Sequence, residues 1–180
     1  LRWLLRHQSG DGAWRAETFA SACGCTGTGY KDFDVGITAL AVLAFLGAGY
    51  TQVSQDWTTD PVTGAKTSYG AGVGKGLAFL VAAQDEEGCF GGRAGEFMYN
   101  HAVATLALTE ACGLTNAVEY RAAAEKGLAF LQAAQNPRRG WRYTARPGDN
   151  DTSVTAWCVM ALKSAEIVGF DVRPAAFEGA

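Results

Sequence analysis

The sequence predicts an all-α protein built from repeated helical hairpins. Three observations predict it. A ten-residue segment occurs twice, as Lys75 to Gln84 and Lys126 to Gln135, and the copies differ only at Val81 against Gln132. Each copy is followed by a glycine and then an aromatic residue. Each aromatic is followed by a second proline-free segment that is almost uncharged. Self-similarity of this kind marks a repeat architecture, in which each unit buries its apolar face against the next.

The first unit is a weaker copy. Trp3-Leu4 precedes Gln8 as Phe79-Leu80 precedes Gln84, and the Lys-Gly of the repeat falls before residue 1. The first helix is therefore expected to be clipped. The turn glycines are Gly12, Gly88 and Gly140, and the aromatics Trp14, Phe90 and Trp141 each stand six residues after the glutamine. A short polar residue then opens the second segment: Asp34, Asn100 and Asp151. Six residues further on come Leu40, Leu106 and Trp157. Glutamine and opening residue are 16 apart in the second and third units and 26 apart in the first, whose extra residues include Cys23-Gly24-Cys25. One domain over 1–180 thus holds repeats at about 1–49, 70–113 and 119–169, with 15–33 and 50–70 outside the pattern.

Both segments of each unit read as helices. Residues 75–84 and 119–134 are rich in Ala and Leu, which are good helix formers. In 119–134 the polar Glu119, Arg121, Glu125, Lys126 and Gln132 leave an apolar remainder, the pattern of a helix with one wet face. Residues 35–46 carry no charge, 102–112 only Glu110, and 154–165 only Lys163. Helices apolar all round are expected to be covered all round. Two layers satisfy this, with amphipathic helices outside and apolar helices 34–46, 101–112 and 151–165 side by side within.

Glycine makes up 23 of 180 residues, about 13% against a usual ~7%. Gly12, Gly88 and Gly140 are expected at turns, and Gly47, Gly49 and Gly113 at the ends of inner helices. Gly76 and Gly127 fall inside helices, where glycine costs about 1 kcal/mol relative to Ala; close approach of a neighbour explains them. The run Gly70 to Lys75 has neither the spacing nor the preceding strand of a phosphate loop.

Composition excludes several classes. With 48% hydrophobic and 18% charged residues, the chain has the means to build a core and is not disordered. A net charge of −3 argues against a general electrostatic grip on nucleic acid. No run of about 18 apolar residues suggests a membrane span, which leaves a cytoplasmic or membrane-peripheral location open. The five cysteines imply no disulfide framework.

Lys-Gly-x-x-Phe-Leu-x-x-x-Gln followed by Gly and Trp or Phe resembles the repeat of terpenoid cyclases of the squalene–hopene type, and that of protein prenyltransferase β subunits. The likeness covers nearly the whole chain outside 15–33 and 50–70. Gly88-Cys89-Phe90-Gly91-Gly92, followed by His101 and Thr105, is similar to the glycine-rich repeat of the β subunits. Asn150-Asp151-Thr152-Ser153 is similar to the cyclase acid region. The stretch from Glu96 to Phe170 most resembles uncharacterised bacterial prenyltransferase/squalene-oxidase repeat proteins. The resemblance implies an α/α toroid. Six hairpins normally close such a ring, so three make an arc that the remaining toroid repeats of the same protein would complete. It also implies an inner cavity for an isoprenoid or other apolar small molecule.

Neither catalytic set of these families carries over. Aligning Asp151 with the end of the cyclase Asp-x-Asp-Asp motif puts Asn150, an amide, at the proton donor; Asp149 takes that place only after a register shift. The β-subunit Asp-x-Cys element is absent beside the inner helices. His7, Cys23, Cys25, Cys89 and His101 are the zinc candidates, but Cys-x-Cys is a poor chelate spacing. No metal and no cofactor is expected.

Asp34, Asn100 and Asp151 each suit a helix N-cap, and equally a ring of polar groups at a cavity mouth. Asp151, Asp149 and Asp34 are the candidate catalytic carboxylates. Tyr99, Asn100, His101, Trp157 and Tyr143 are the candidate ligand-binding residues; aromatic faces there suit cationic intermediates as well as a packed core. The Arg138-Arg139-Arg142 trio needs no ligand, as exposed turn charges. Three functions remain: a cyclase- or prenyltransferase-like ligand-binding repeat, with isomerase or transferase activity open; a non-catalytic scaffold for protein partners; or another chemistry on an α/α ring, such as carbohydrate cleavage, which requires paired acids.

Overall fold

The structure, a computed structural model, describes residues 1–180 and is mostly helical, with seven α-helices and one two-stranded sheet. Three hairpins follow one another. The first pairs α1 (Arg2–Arg6) with α2 (Asp34–Gly47), the second α3 (Tyr69–Ala82) with α4 (Phe97–Thr115), and the third α5 (Val118–Ala134) with α6 (Thr152–Val168). A short α7 (Pro174–Glu178) closes the chain. No helix is long and apolar enough to cross a membrane.

The second helices lie side by side: α4 packs against α2 on one flank and α6 on the other. The first helices cover them, α3 resting on α2 and α5 on α4. The core is continuous through this stack, from Leu5 and Trp14 through Phe45, Phe90 and Leu108 to Leu162.

The turn aromatics explain the helix glycines. A side chain on Gly76 would strike Trp14 and Val42, and one on Gly127 would strike Phe90 and Thr105. Each aromatic is wedged between its own hairpin and the next outer helix, and only a bare backbone lets that helix approach. Gly12 and Gly88 adopt φ of 93° and 96° and press on the backbone of Lys75 and Lys126. Both conditions exclude a Cβ.

The glutamine of the repeat also gains a role. Its Nε2 donates across to the next outer helix: Gln8 to Gly72 O at 2.8 Å, Gln84 to Ala123 O at 2.9 Å, and Gln135 to Ala176 O at 2.9 Å. The same amide of Gln8 and Gln84 also donates to its own turn, at Gly12 O and Gly88 O.

Several expectations are corrected. The inner helices are not all covered. Only α4 is buried on nearly every face; Ile37 and Leu40 of α2 are 37% and 46% exposed, and Met160 and Ile167 of α6 are also exposed. The reason is position, since α4 has a neighbour on each flank and the other two lack one. Gly113 does not end α4. The helix continues to Thr115, Asn116 supplies the left-handed cap at φ 53°, and Gly113 instead gives room to Val168. Within residues 50–70, outside the repeat, β1 (Trp57–Thr59) and β2 (Lys66–Ser68) form an antiparallel hairpin. Asp60 at its tip accepts Val62 N and Thr63 N and pairs with Arg6 of α1 at 2.6 Å. The Arg6 hydrogen bond is the main cause holding the Asp60 carboxyl well below its ordinary range. Ser68 Oγ then caps α3 through Ala71 N.

Candidate functional site

The polar openings of the three inner helices behave differently from one another. Asp151 is a true N-cap, accepting Val154 N at 2.9 Å. Asp34 and Asn100 are not caps, contrary to the expectation. Asp34 is the first residue of α2 and reaches backwards, accepting Ala16 N at 2.8 Å and Arg15 Nη1 at 2.8 Å. Asn100 lies one turn inside α4, which starts at Phe97. Its amide accepts Gly36 N at 3.2 Å and donates to Asp32 O at 2.7 Å, tying α4 to the start of α2. α4 begins four residues earlier than the expected 101, so Asn100 no longer stands where an N-cap would.

At the start of α6 a polar cluster forms. Asp151 Oδ1 accepts Ser153 Oγ at 2.5 Å, and Asp151 Oδ2 accepts Tyr143 OH at 3.3 Å. Tyr99 OH meets Ser153 Oγ at 2.5 Å, and the Tyr99 and Tyr143 rings stack with centroids 6.0 Å apart. Ser153, followed by the Val154 amide, lowers the Asp151 pKa. The charge on Asp151 raises that of Tyr143. The cluster therefore holds a carboxylate. It suits accepting a hydrogen bond or facing a cation, and it does not suit delivering the strong acid that alkene protonation requires.

The structure brings Tyr99, Tyr143 and Asp151 together and leaves the other candidates apart. Asp149 is exposed and pairs with Arg142. His101 is fully buried: its Nδ1 accepts Phe90 N at 3.2 Å, and its Nε2 donates to Gly127 O at 3.1 Å. Burial lowers its pKa to about 3. A neutral imidazole with both nitrogens engaged is a strut between the second turn and α5, and it has no atom left for a ligand.

Trp157 lies elsewhere, in an apolar groove of about 770 Å³ on the inner helices. Its walls include Leu40 and Leu43 of α2, Leu106 and Leu114 of α4, and Trp157 and Met160 of α6. Leu40, Leu106 and Trp157 each stand six residues past the polar openings, roughly 9 Å down the helices. A part-buried polar link, Ser164 Oγ to Glu110 Oε1 at 2.6 Å, lies in the same wall. The volume is within the usual range for a small-molecule site, about 300–1,000 Å³. Sequence reasoning missed Arg15 and the Glu110–Ser164 pair, and gave Ser153 no role of its own. Ser153 is legible two residues after Asp151, whereas the Glu110–Ser164 contact crosses two units and has no local signal.

The thiols divide by burial. Cys89 is buried, and desolvation pushes it up to about 12. Cys23 is lowered to about 7, chiefly by hydrogen bonding with Cys25 and then by His7. No group of three or more His, Cys, Asp or Glu side chains is placed to hold a metal ion.

Fold and groove together define a mostly helical chain of stacked hairpins with an apolar groove along its second helices. No protein-family model, no curated protein and no solved structure matches the chain.

Proposed function

We propose that this chain is a terpenoid-cyclase- or prenyltransferase-like repeat, an arc of an α/α toroid, and that it binds an isoprenoid or similarly apolar chain along the inner groove. The groove carries this reading: its walls come from all three inner helices, they are mainly Leu, Trp and Met, and the polar cluster of Asp151, Tyr143 and Tyr99 stands at one end of the same helices. The apolar walls suit a hydrocarbon body, and the cluster suits a hydroxyl or cationic head. Binding is the proposed activity, because Asp151 is held as a carboxylate.

A protein-scaffold function is the second reading, and the exposed apolar side chains at both ends of the stack favour it. Carbohydrate cleavage lacks support, since Asp34, Asp149 and Asp151 are each tied to different partners.

The test is native mass spectrometry of the chain with a prenyl alcohol, alongside lipid extraction of the protein as purified. A one-to-one complex that Leu106→Glu and Trp157→Ala both abolish is expected. Failure to bind any prenyl or fatty chain, with the fold intact by circular dichroism, would overturn the reading.

A further inference from the structure

The arginines of this chain divide into two groups. Arg6, Arg15, Arg93, Arg121 and Arg142 each pair with a carboxylate. Arg138, Arg146 and Arg173 do not, and all three line a polar pocket of about 500 Å³ between the end of α5, the third turn and α7. Arg173 Nε and Nη2 donate to the side chain and the carbonyl of Gln132 at 3.3 and 2.6 Å, and Arg146 Nε donates to Ala133 O at 2.7 Å. Neutral oxygens thus hold these two guanidiniums without neutralising them. The Arg138 side chain is exposed and makes no ion pair. Glu178 is the single carboxylate in the walls, so three positive charges face one negative. The Arg138-Arg139-Arg142 trio is split: Arg142 pairs with Asp149, Arg139 Nη1 donates to Gly148 O at 3.3 Å, and only Arg138 reaches the pocket.

The second unit has a different turn at this place. With Gln84 and Gln135 as equivalents, Asn136 and Arg138 stand where the second unit has Asp85 and Glu87, and Thr144 stands where it has Arg93. Arg93 pairs with both acids, at 2.7 and 3.0 Å. A neutralised turn in the second unit is therefore an uncompensated basic one in the third. The backbone agrees. Arg146 stands where the second unit has Gly95, and both are left-handed, at φ 51° and 58°. Arg138 is left-handed too, at φ 59°. This region disfavours residues with a Cβ. Besides these two arginines, the one non-glycine residue in it is Asn116, a helix cap. Side chains held in such conformations cluster at binding sites.

We propose that this pocket is an anion site for a small phosphorylated molecule, whose phosphoryl oxygens Arg138, Arg146 and Arg173 hold together. A guanidinium fork matches phosphoryl oxygens and forms charge-assisted hydrogen bonds with them. Gln132 and Ala133 fix Arg173 and Arg146 in advance, which lowers the ordering cost of binding. The excess of positive charge favours an anion with two or more negative charges. The concave, polar walls favour a free molecule over a flat lipid surface. The pocket shares no wall residue with the inner groove, so its occupancy is independent of what that groove binds.

Isothermal titration calorimetry of the 180-residue chain with inorganic diphosphate, at about 0.15 M salt, tests it. Saturable one-to-one binding is expected, and no binding by about 10 mM diphosphate overturns the site. Arg138→Gln and Arg146→Gly should each raise the dissociation constant about tenfold, through loss of one charge-assisted contact. Both should stay folded by circular dichroism, since Arg138 is exposed and Arg146→Gly restores the residue that the second unit has at a similar φ. Glu178→Gln should tighten binding about threefold, because a repelling charge leaves the wall; damage to the fold would not tighten it. Arg139→Gln, in the same turn and outside the pocket, should change affinity less than about twofold. Unchanged affinity in Arg138→Gln and Arg146→Gly, or an equal loss in Arg139→Gln, defeats the assignment. Flotation with phosphatidylcholine vesicles containing phosphatidic acid separates the sources of the phosphoryl group. Vesicle binding without diphosphate binding would give these arginines to a lipid surface and overturn the proposal.

Discussion

The middle and flanking hairpins carry the same repeat and have opposite surroundings. Val103 in α4 is 4% exposed, whereas its counterpart Ile37 in α2 is 37% exposed. At the helix starts, Asn100 and His101 are buried and spent on tying neighbours together, while the Asp151 cluster stands at the edge. The lesson is that the role of a repeat position depends on its place in the stack. Positions such as Asn100 and His101, with neighbours on both flanks, become struts, whereas Ile37 and Met160, on faces of α2 and α6 without a neighbour, stay exposed.

The sharpest way to break this comparison is to place one charge at equivalent positions. Val103→Glu should cost about 3–5 kcal/mol, because the carboxylate is buried without a partner. Ile37→Glu should shift the stability of the monomer by no more than about 0.5 kcal/mol. Urea unfolding at low protein concentration measures both, and equal effects would dissolve the distinction.

Next comes acid. His101 is held neutral with a pKa of about 3, against about 6.5 in an unfolded chain. The unfolded state therefore binds more protons between these values, and stability falls as pH drops from about 6.5 to about 3. The Asp151 pKa is lowered, so its contribution is retained above its ordinary range and lost only at more acid pH. Denaturant midpoints across this range should fall steadily, and His101→Gln should flatten the slope between pH 6 and 4, about the middle of that window.

Smaller effects separate Asn100 from Asp151. Asn100→Ala breaks one bond to α2 and one to Asp32 just before it, and should cost about 1–3 kcal/mol. Asp151→Ala removes a helix cap and should cost about 1 kcal/mol. The smallest effect is on reactivity. Cys23, with its pKa at about 7, should be alkylated by iodoacetamide at neutral pH ahead of Cys25, whose pKa is raised by the Cys23 hydrogen bond. Peptide mass mapping reads the order, and equal rates would argue against the pairing.

Much of this was legible in the residues. The Gln-to-aromatic spacing marked the hairpins, and its three aromatics, Trp14, Phe90 and Trp141, are all buried in the structure. Asp151 was legible as a cap. The bent hairpin at Trp57 to Ser68 was not, since its strands are three residues long and carry little periodicity. Asn100 was misread because the local pattern does not reveal where α4 begins. Helix starts are decided by which amides find partners, and here Met98 N finds Tyr143 O of the third unit.

By itself the sequence determined the helical class, the repeat, and which helix of each pair is apolar. These follow from short-range spacing and from water's rejection of apolar surface. Only the tertiary structure decided which apolar faces stay open, which polar openings are spent as struts, and that Leu40, Leu106 and Trp157 share one groove. Those outcomes depend on contacts between units far apart in the chain. Identical local patterns acquire different fates there, because burial is a property of neighbours and not of the residue.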